Sequence, residues 1–201
     1  MKLYSRLVGH LLVLWVGVAV AGVPPGDDLA ESPDGPEAVK VYFTETEALA
    51  KVFAEADSSW VEEWGPTPGE RSEIEEQLAW RIEEEKFVIH RAVKDGRDLG
   101  FAMITEEKGR FKPITFIVKT SAAHRVDMVL VMVYRESRGD GVKRQRFLKQ
   151  FRDKEASDHL RLNRDIVGVS GATMSSRALA IGVKKVLAVL AMKYPATKAG
   201  P

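Results

Sequence analysis

Val126-Asp127-Met128-Val129-Leu130-Val131-Met132-Val133-Tyr134 is a nearly unbroken apolar run rich in β-branched residues. A run of this kind reads as a central strand buried on both faces. It is followed at once by Arg135-Glu136-Ser137-Arg138-Gly139-Asp140-Gly141. Gly139 and Gly141 let main chain come close to a ligand, while Glu136 and Ser137 supply an acceptor and a donor. The end of the strand is therefore a candidate site, with a connecting turn as the alternative reading of each residue.

Working outward from the strand, Phe87 to Val93 and Leu99 to Thr105 flank Asp95-Gly96, a strong turn signal, and Pro113 to Lys119 precedes the Val126 run. An antiparallel meander is the economical arrangement. Thr44 with Glu47 predicts a capping box opening a short helix through about Phe53. Thr67-Pro68-Gly69-Glu70 repeats the signal for a second helix to about Leu78. After the strands, helical pattern returns at about Lys143 to Phe151 and at Ser175 to Met192, where Leu179, Val183, Val186 and Leu190 recur on one face. Strands followed by helices, without regular alternation, predict an α+β fold: an antiparallel sheet packed by helices, with a helical N-terminal segment.

At the entrance to the last helix stands Ser170-Gly171-Ala172-Thr173-Met174-Ser175-Ser176. A hydroxyl flanked by residues of little bulk is open to a modifying enzyme. A helix starting beside it offers unpaired N–H groups and a positive dipole end to a phosphate. Thr173 is thus a candidate for a phosphate ester. Ordinary capping by Ser175 or Ser176 is the competing reading.

The heptapeptide resembles the SGAT-type motif of the FMN-binding domain family, which includes the small flavin subunits of ion-pumping NADH–quinone and ferredoxin–NAD oxidoreductases. The second block strengthens the resemblance: Glu136, Ser137, Gly139 and Gly141, then Phe147 and Gln150-Phe151, keep the family's order of an acid, a hydroxyl, two glycines and an F-x-x-Q-F segment. The resemblance implies FMN as cofactor, linked by a flavin transferase to Thr173, with Ser170, Gly171 and Ala172 as close-approach backbone and Ser175 or Ser176 as a hydroxyl at the helix start. It implies an electron-transfer protein or oxidoreductase subunit, working with a redox partner protein or a membrane electron-transfer complex. Arg135 or Arg138 is expected near the ring, and Trp60, Trp64 and Trp80 are candidate stacking partners, with core or surface packing the favoured reading of each. One departure stands out. Family members usually carry an aspartate three residues before the motif serine, where this chain has Val167, its nearest acid being Asp165. A domain holding FMN without a covalent bond, or one that has lost the flavin, are the alternatives.

The 201 residues, 45% hydrophobic, suffice for one substantial core. Residues 1–21 read as a signal peptide: Lys2 and Arg6, then Leu11 to Val20, then Ala19-Val20-Ala21. Export to the periplasm or the outer face of the cytoplasmic membrane follows, with an uncleaved anchor as alternative. Residues 22–36, rich in proline, glycine and acids, read as a flexible lead-in, which leaves 37–201 as the domain. The absence of cysteine excludes a thiolate nucleophile, cysteine-ligated clusters, c-type haem and disulfides. His10, His90, His124 and His159 are scattered without metal-ligand spacing, so no metal site is expected. Net charge is only +1, yet Asp27 to Glu85 is acidic and Arg135 to Arg164 basic. For an exported chain this asymmetry suits a flavin phosphate or an acidic redox partner, or a solvated helix face, rather than nucleic acid.

Overall fold

Two capping boxes fix where the first helices begin. In the computed structural model, which describes residues 39–195, Thr44 Oγ1 accepts from Glu47 N at 3.3 Å while the Glu47 carboxylate accepts from Thr44 N at 2.8 Å. This box opens α1 (Glu45–Val52). Thr67 and Glu70 make the same reciprocal pair, and Pro68 takes the first turn of α2 (Pro68–Leu78). Both helices start where the sequence predicts. The expected leader and lead-in lie outside the described residues.

Six antiparallel strands form one sheet in the order β1-β6-β5-β4-β3-β2: β1 (Lys40–Val41), β2 (Ser58–Trp64), β3 (Phe87–Lys94), β4 (Arg97–Lys108), β5 (Pro113–Thr120) and β6 (Val126–Tyr134). Strands β2 to β6 follow one another as a meander. The β3–β4 turn uses Asp95 and Gly96, both at positive φ. With its helices the sheet makes the α+β fold expected.

Three details differ from the sequence reading. Strand β6 is not central: its outer neighbour is the two-residue β1, and its burial comes from the faces, with α1 on one and a short helical segment on the other. Residues 143–151 are not one helix. A 3-10 turn at Asp140–Lys143, α3 (Gln145–Leu148) and a second 3-10 turn at Lys149–Phe151 replace it, because Arg144 between the first two is extended (φ −69°, ψ 137°). Strand β2 has no clear sequence signal, since its charged and aromatic residues sit on an edge that leaves most of them exposed.

The main core lies between the sheet and α4 (Thr173–Lys193), which crosses β4 and β5 with α2 packed beside it. Leu179, Val183, Val186 and Leu190 are fully buried, as their spacing predicts. Gly182 permits the approach, because a Cβ there would run into the Phe116 ring. A smaller core on the other face packs Ala48, Val52 and Phe53 against Ala92, Ala102, Ile117, Leu130 and Met132. Strand β6 and helix α4 are thus held so that the end of one meets the start of the other.

Candidate functional site

Tyr134 ends β6 and is fully buried. Its phenol donates to the Arg138 carbonyl at 2.6 Å and lies 2.8 Å from Ser175 Oγ. A phenol has one proton to give, so the serine donates in the second bond. Burial raises the phenol's pKa, which keeps it protonated. Gly139 sits at φ +92°, where a Cβ would lie 2.7 Å from Tyr134 Oη and 3.2 Å from both Ala172 Cβ and Ser175 Oγ. Only glycine fits there. The loop after β6 is thereby packed onto the start of α4, and the two blocks singled out in the sequence become one structure.

The rest of the second block braces the segment that leads into α4. Gln150 grips the backbone of Val167 at both ends, Nε2 donating to Val167 O at 3.1 Å and Oε1 accepting from Val167 N at 2.8 Å. Phe147 and Phe151, edge to face at 5.5 Å, are buried beneath it.

Helix α4 begins without a side-chain cap. Its N-cap residue is Ala172, which has no oxygen to offer, and the first helical residue is Thr173. The first N–H groups of the helix have no carbonyl to pair with inside it. Of the three hydroxyls, Thr173 is exposed while Ser175 and Ser176 are buried. Ser176 Oγ accepts from Val169 N at 3.0 Å and tightens the turn. Ser170 and Gly171 are exposed beside Thr173, with Val167 at 73% and Met174 at 43% exposure forming an apolar rim.

The remaining candidates lie elsewhere or carry other partners. Glu136 is buried, and its Oε1 accepts from Phe111 N at 2.7 Å and Lys112 N at 3.2 Å, so this carboxylate holds the β4–β5 turn. Ser137 and Arg138 are exposed. Arg135 pairs with Glu106 at 3.3 Å and donates to Thr115 Oγ1 at 2.8 Å. Trp60 and Trp64 belong to edge strand β2, the former under the Arg91 guanidinium at 5.2 Å and the latter beside Phe87. Asp165 accepts from Arg161 N at 2.8 Å, and that bond holds its carboxyl below the ordinary range.

A second network emerges only in three dimensions. Asp140 accepts from Lys143 Nζ at 3.1 Å, Lys40 Nζ at 3.3 Å and Tyr42 Oη at 3.1 Å. It ties β1 to the site loop. The lysine bond and its companions hold the Asp140 carboxyl below its usual range. No local sequence signal announces a partner about a hundred residues away.

A helix start without a side-chain cap, approached by close-packed backbone and with Thr173 exposed at its first position, has the unpaired N–H groups and dipole end that suit an anion. Residues 109–188 match the family model of the FMN-binding domain. Over that stretch the chain is similar to that domain, and FMN is the cofactor the domain indicates. No curated protein matches the chain in sequence. Among solved structures it is similar to NqrC of Shewanella oneidensis, with 18% identity and a TM-score of 0.44 over 66% of this chain and 65% of that one. It is also similar to a subunit of the Na+-translocating NADH–quinone reductase of Parabacteroides distasonis, with 13% identity and a TM-score of 0.45 over 71% and 84% of the two chains. The chain spans less than two thirds of the first of these. The residues fit FMN on their own geometry: Thr173 and the free N–H groups of α4 suit its phosphate, and the space beside Gly171, where a Cβ would meet nothing within 4 Å, leaves access to it.

Proposed function

We propose that this protein is an exported electron-transfer flavoprotein carrying FMN as a phosphoester on Thr173. The observation that carries this reading is the packing of Gly139 on Ala172 and Ser175. It joins the two motif blocks at a helix start where Thr173, the first helical residue, faces outward while Ser175 and Ser176 are buried.

Bound FMN supplies redox chemistry at its isoalloxazine ring. The chain supplies position and charge. Thr173 Oγ would hold the phosphorus, and the unpaired N–H groups and dipole of α4 would meet the phosphate's negative charge. The Tyr134–Ser175 bond keeps that helix end fixed to β6. Formation of the ester by a flavin transferase balances with a flavin dinucleotide as donor: the Thr173 O–P bond forms, the pyrophosphate bond breaks, AMP leaves and the hydroxyl proton goes to solvent. Tethering suits an exported protein, since a dissociated cofactor would be diluted whereas a linked one stays at high local concentration.

Among the described residues no helix is long and apolar enough to cross a membrane. The expected leader is what supports export to the periplasm or the outer face of the cytoplasmic membrane. Arg138, Arg144, Arg146, Lys149 and Arg152, all exposed along the segment that follows β6, would dock an acidic redox partner or a membrane electron-transfer complex. The test is intact mass of protein made with a flavin transferase. An FMN-sized increment in the parent and none in Thr173→Ala supports the ester, whereas equal masses overturn it.

A second reading is that FMN is held without a covalent bond. Val167, where the family usually has aspartate, favours it. Acid precipitation would then strip the flavin from the protein.

A further inference from the structure

A groove of about 410 Å³ runs along the outer side of α4, starting one turn from Thr173. Arg177, Ala180, Ile181 and Lys184 line it, four, seven, eight and eleven residues after Thr173, so all lie on the helix face that Thr173 begins. Leu162 and Trp80 supply its other walls. Trp80 gets there because α2 ends in a left-handed residue, Ala79 at φ 62°, which swings the chain out of the helix toward α4. The far end is closed by a staple: Gln77 Nε2 and Lys184 Nζ both donate to the Ala156 carbonyl, at 3.0 and 2.9 Å.

We propose that this groove receives the flavin of a nucleotide esterified at Thr173, with Arg177 against the phosphate and Trp80 against the isoalloxazine ring. The inference rests on the reading that FMN is carried on Thr173, and it adds where the ring goes. The length fits: eleven residues of helix span about 16 Å, comparable to an extended FMN from phosphorus to the far edge of the ring. The charge fits as well. Among the described residues no carboxylate is paired with Arg177, and Arg161 and His159 stand on the same rim. The larger concavity of about 880 Å³ nearby is a poorer host, because four glutamates offset the four cations that line it and Lys185 is already paired with Glu84 and Glu107, so it offers an anion no net attraction. Trp80 comes from outside the stretch that matches the FMN-binding family, so this wall is a property of the present chain.

The test uses full-length protein made with a flavin transferase, its FMN loading read by intact mass, and compares the parent with Trp80→Phe and Arg177→Gln. Indole stacked on flavin quenches its emission and a phenyl ring does not. Trp80→Phe should therefore raise flavin fluorescence several-fold at unchanged FMN mass and unchanged far-UV circular dichroism. Arg177→Gln should shift the 31P resonance of the ester and lower the flavin's fluorescence anisotropy. Full FMN mass with emission, anisotropy and 31P signal unaltered in both variants overturns the groove and leaves the ester standing. Absence of FMN from the parent overturns both.

Discussion

The Tyr134 phenol receives a hydrogen bond from Ser175 across 2.8 Å and passes its own proton to the Arg138 carbonyl. One ring therefore couples the last residue of β6, the loop that follows it and the first turn of α4. Losing that oxygen leaves the buried Ser175 hydroxyl without this partner and breaks the part-buried bond to the Arg138 carbonyl.

Tyr134→Phe should accordingly destabilise the protein by about 1–3 kcal/mol, the range for orphaned buried partners. Ser175→Ala should cost less, because Tyr134 keeps its bond to Arg138. Urea denaturation of both variants and of the double variant measures the coupling. A Ser175→Ala loss as large as that of Tyr134→Phe would show that the helix bond, not the loop bond, dominates.

Asp140 carries a pH dependence whose sign follows from its partners. Its folded-state pKa is lowered, first by Lys143 and then by Lys40 and Tyr42. The unfolded chain binds more protons between the two pKa values, so this contribution is complete above the unfolded value and is lost as pH falls through the folded one. Asp140→Asn should be less stable than the parent at neutral pH, and the difference should vanish on acidification. Denaturation curves over that range, with hydrogen exchange at Tyr42 and Phe43, report it.

Lys185 is buried between Glu84, with which it makes a close ion pair, and Glu107 at 2.6 Å. Burial raises the Glu107 pKa, and Lys185 opposes the shift. A raised folded value means that stability falls as pH rises through it. Lys185→Met removes the opposing charge, so it should cost about 3–5 kcal/mol at neutral pH, as for a broken buried pair. Part should return near pH ~4.5, where carboxylates take up protons. Chemical denaturation at the two pH values checks this.

Much of the molecule is legible in the residues because its signals are local. The Thr44–Glu47 and Thr67–Glu70 boxes act across three residues, Asp95-Gly96 turns within two, and the spacing of Leu179, Val183, Val186 and Leu190 needs only the helical repeat. Each is satisfied by neighbours in the chain, and the structure places them as read. Gly139 is visible in the sequence as a backbone needing freedom. What it packs against is not.

By itself, then, the sequence determined the antiparallel α+β plan and the exposed threonine at a helix start, since caps, turns and periodicity are short-range energies. Tertiary structure decided the rest. It set β6 beside a two-residue edge strand, turned Ser175 and Ser176 inward, and committed Glu136 to a turn 25 residues earlier. Burial and pairing at such separations are fixed by which surfaces meet, and no local pattern of residues encodes that.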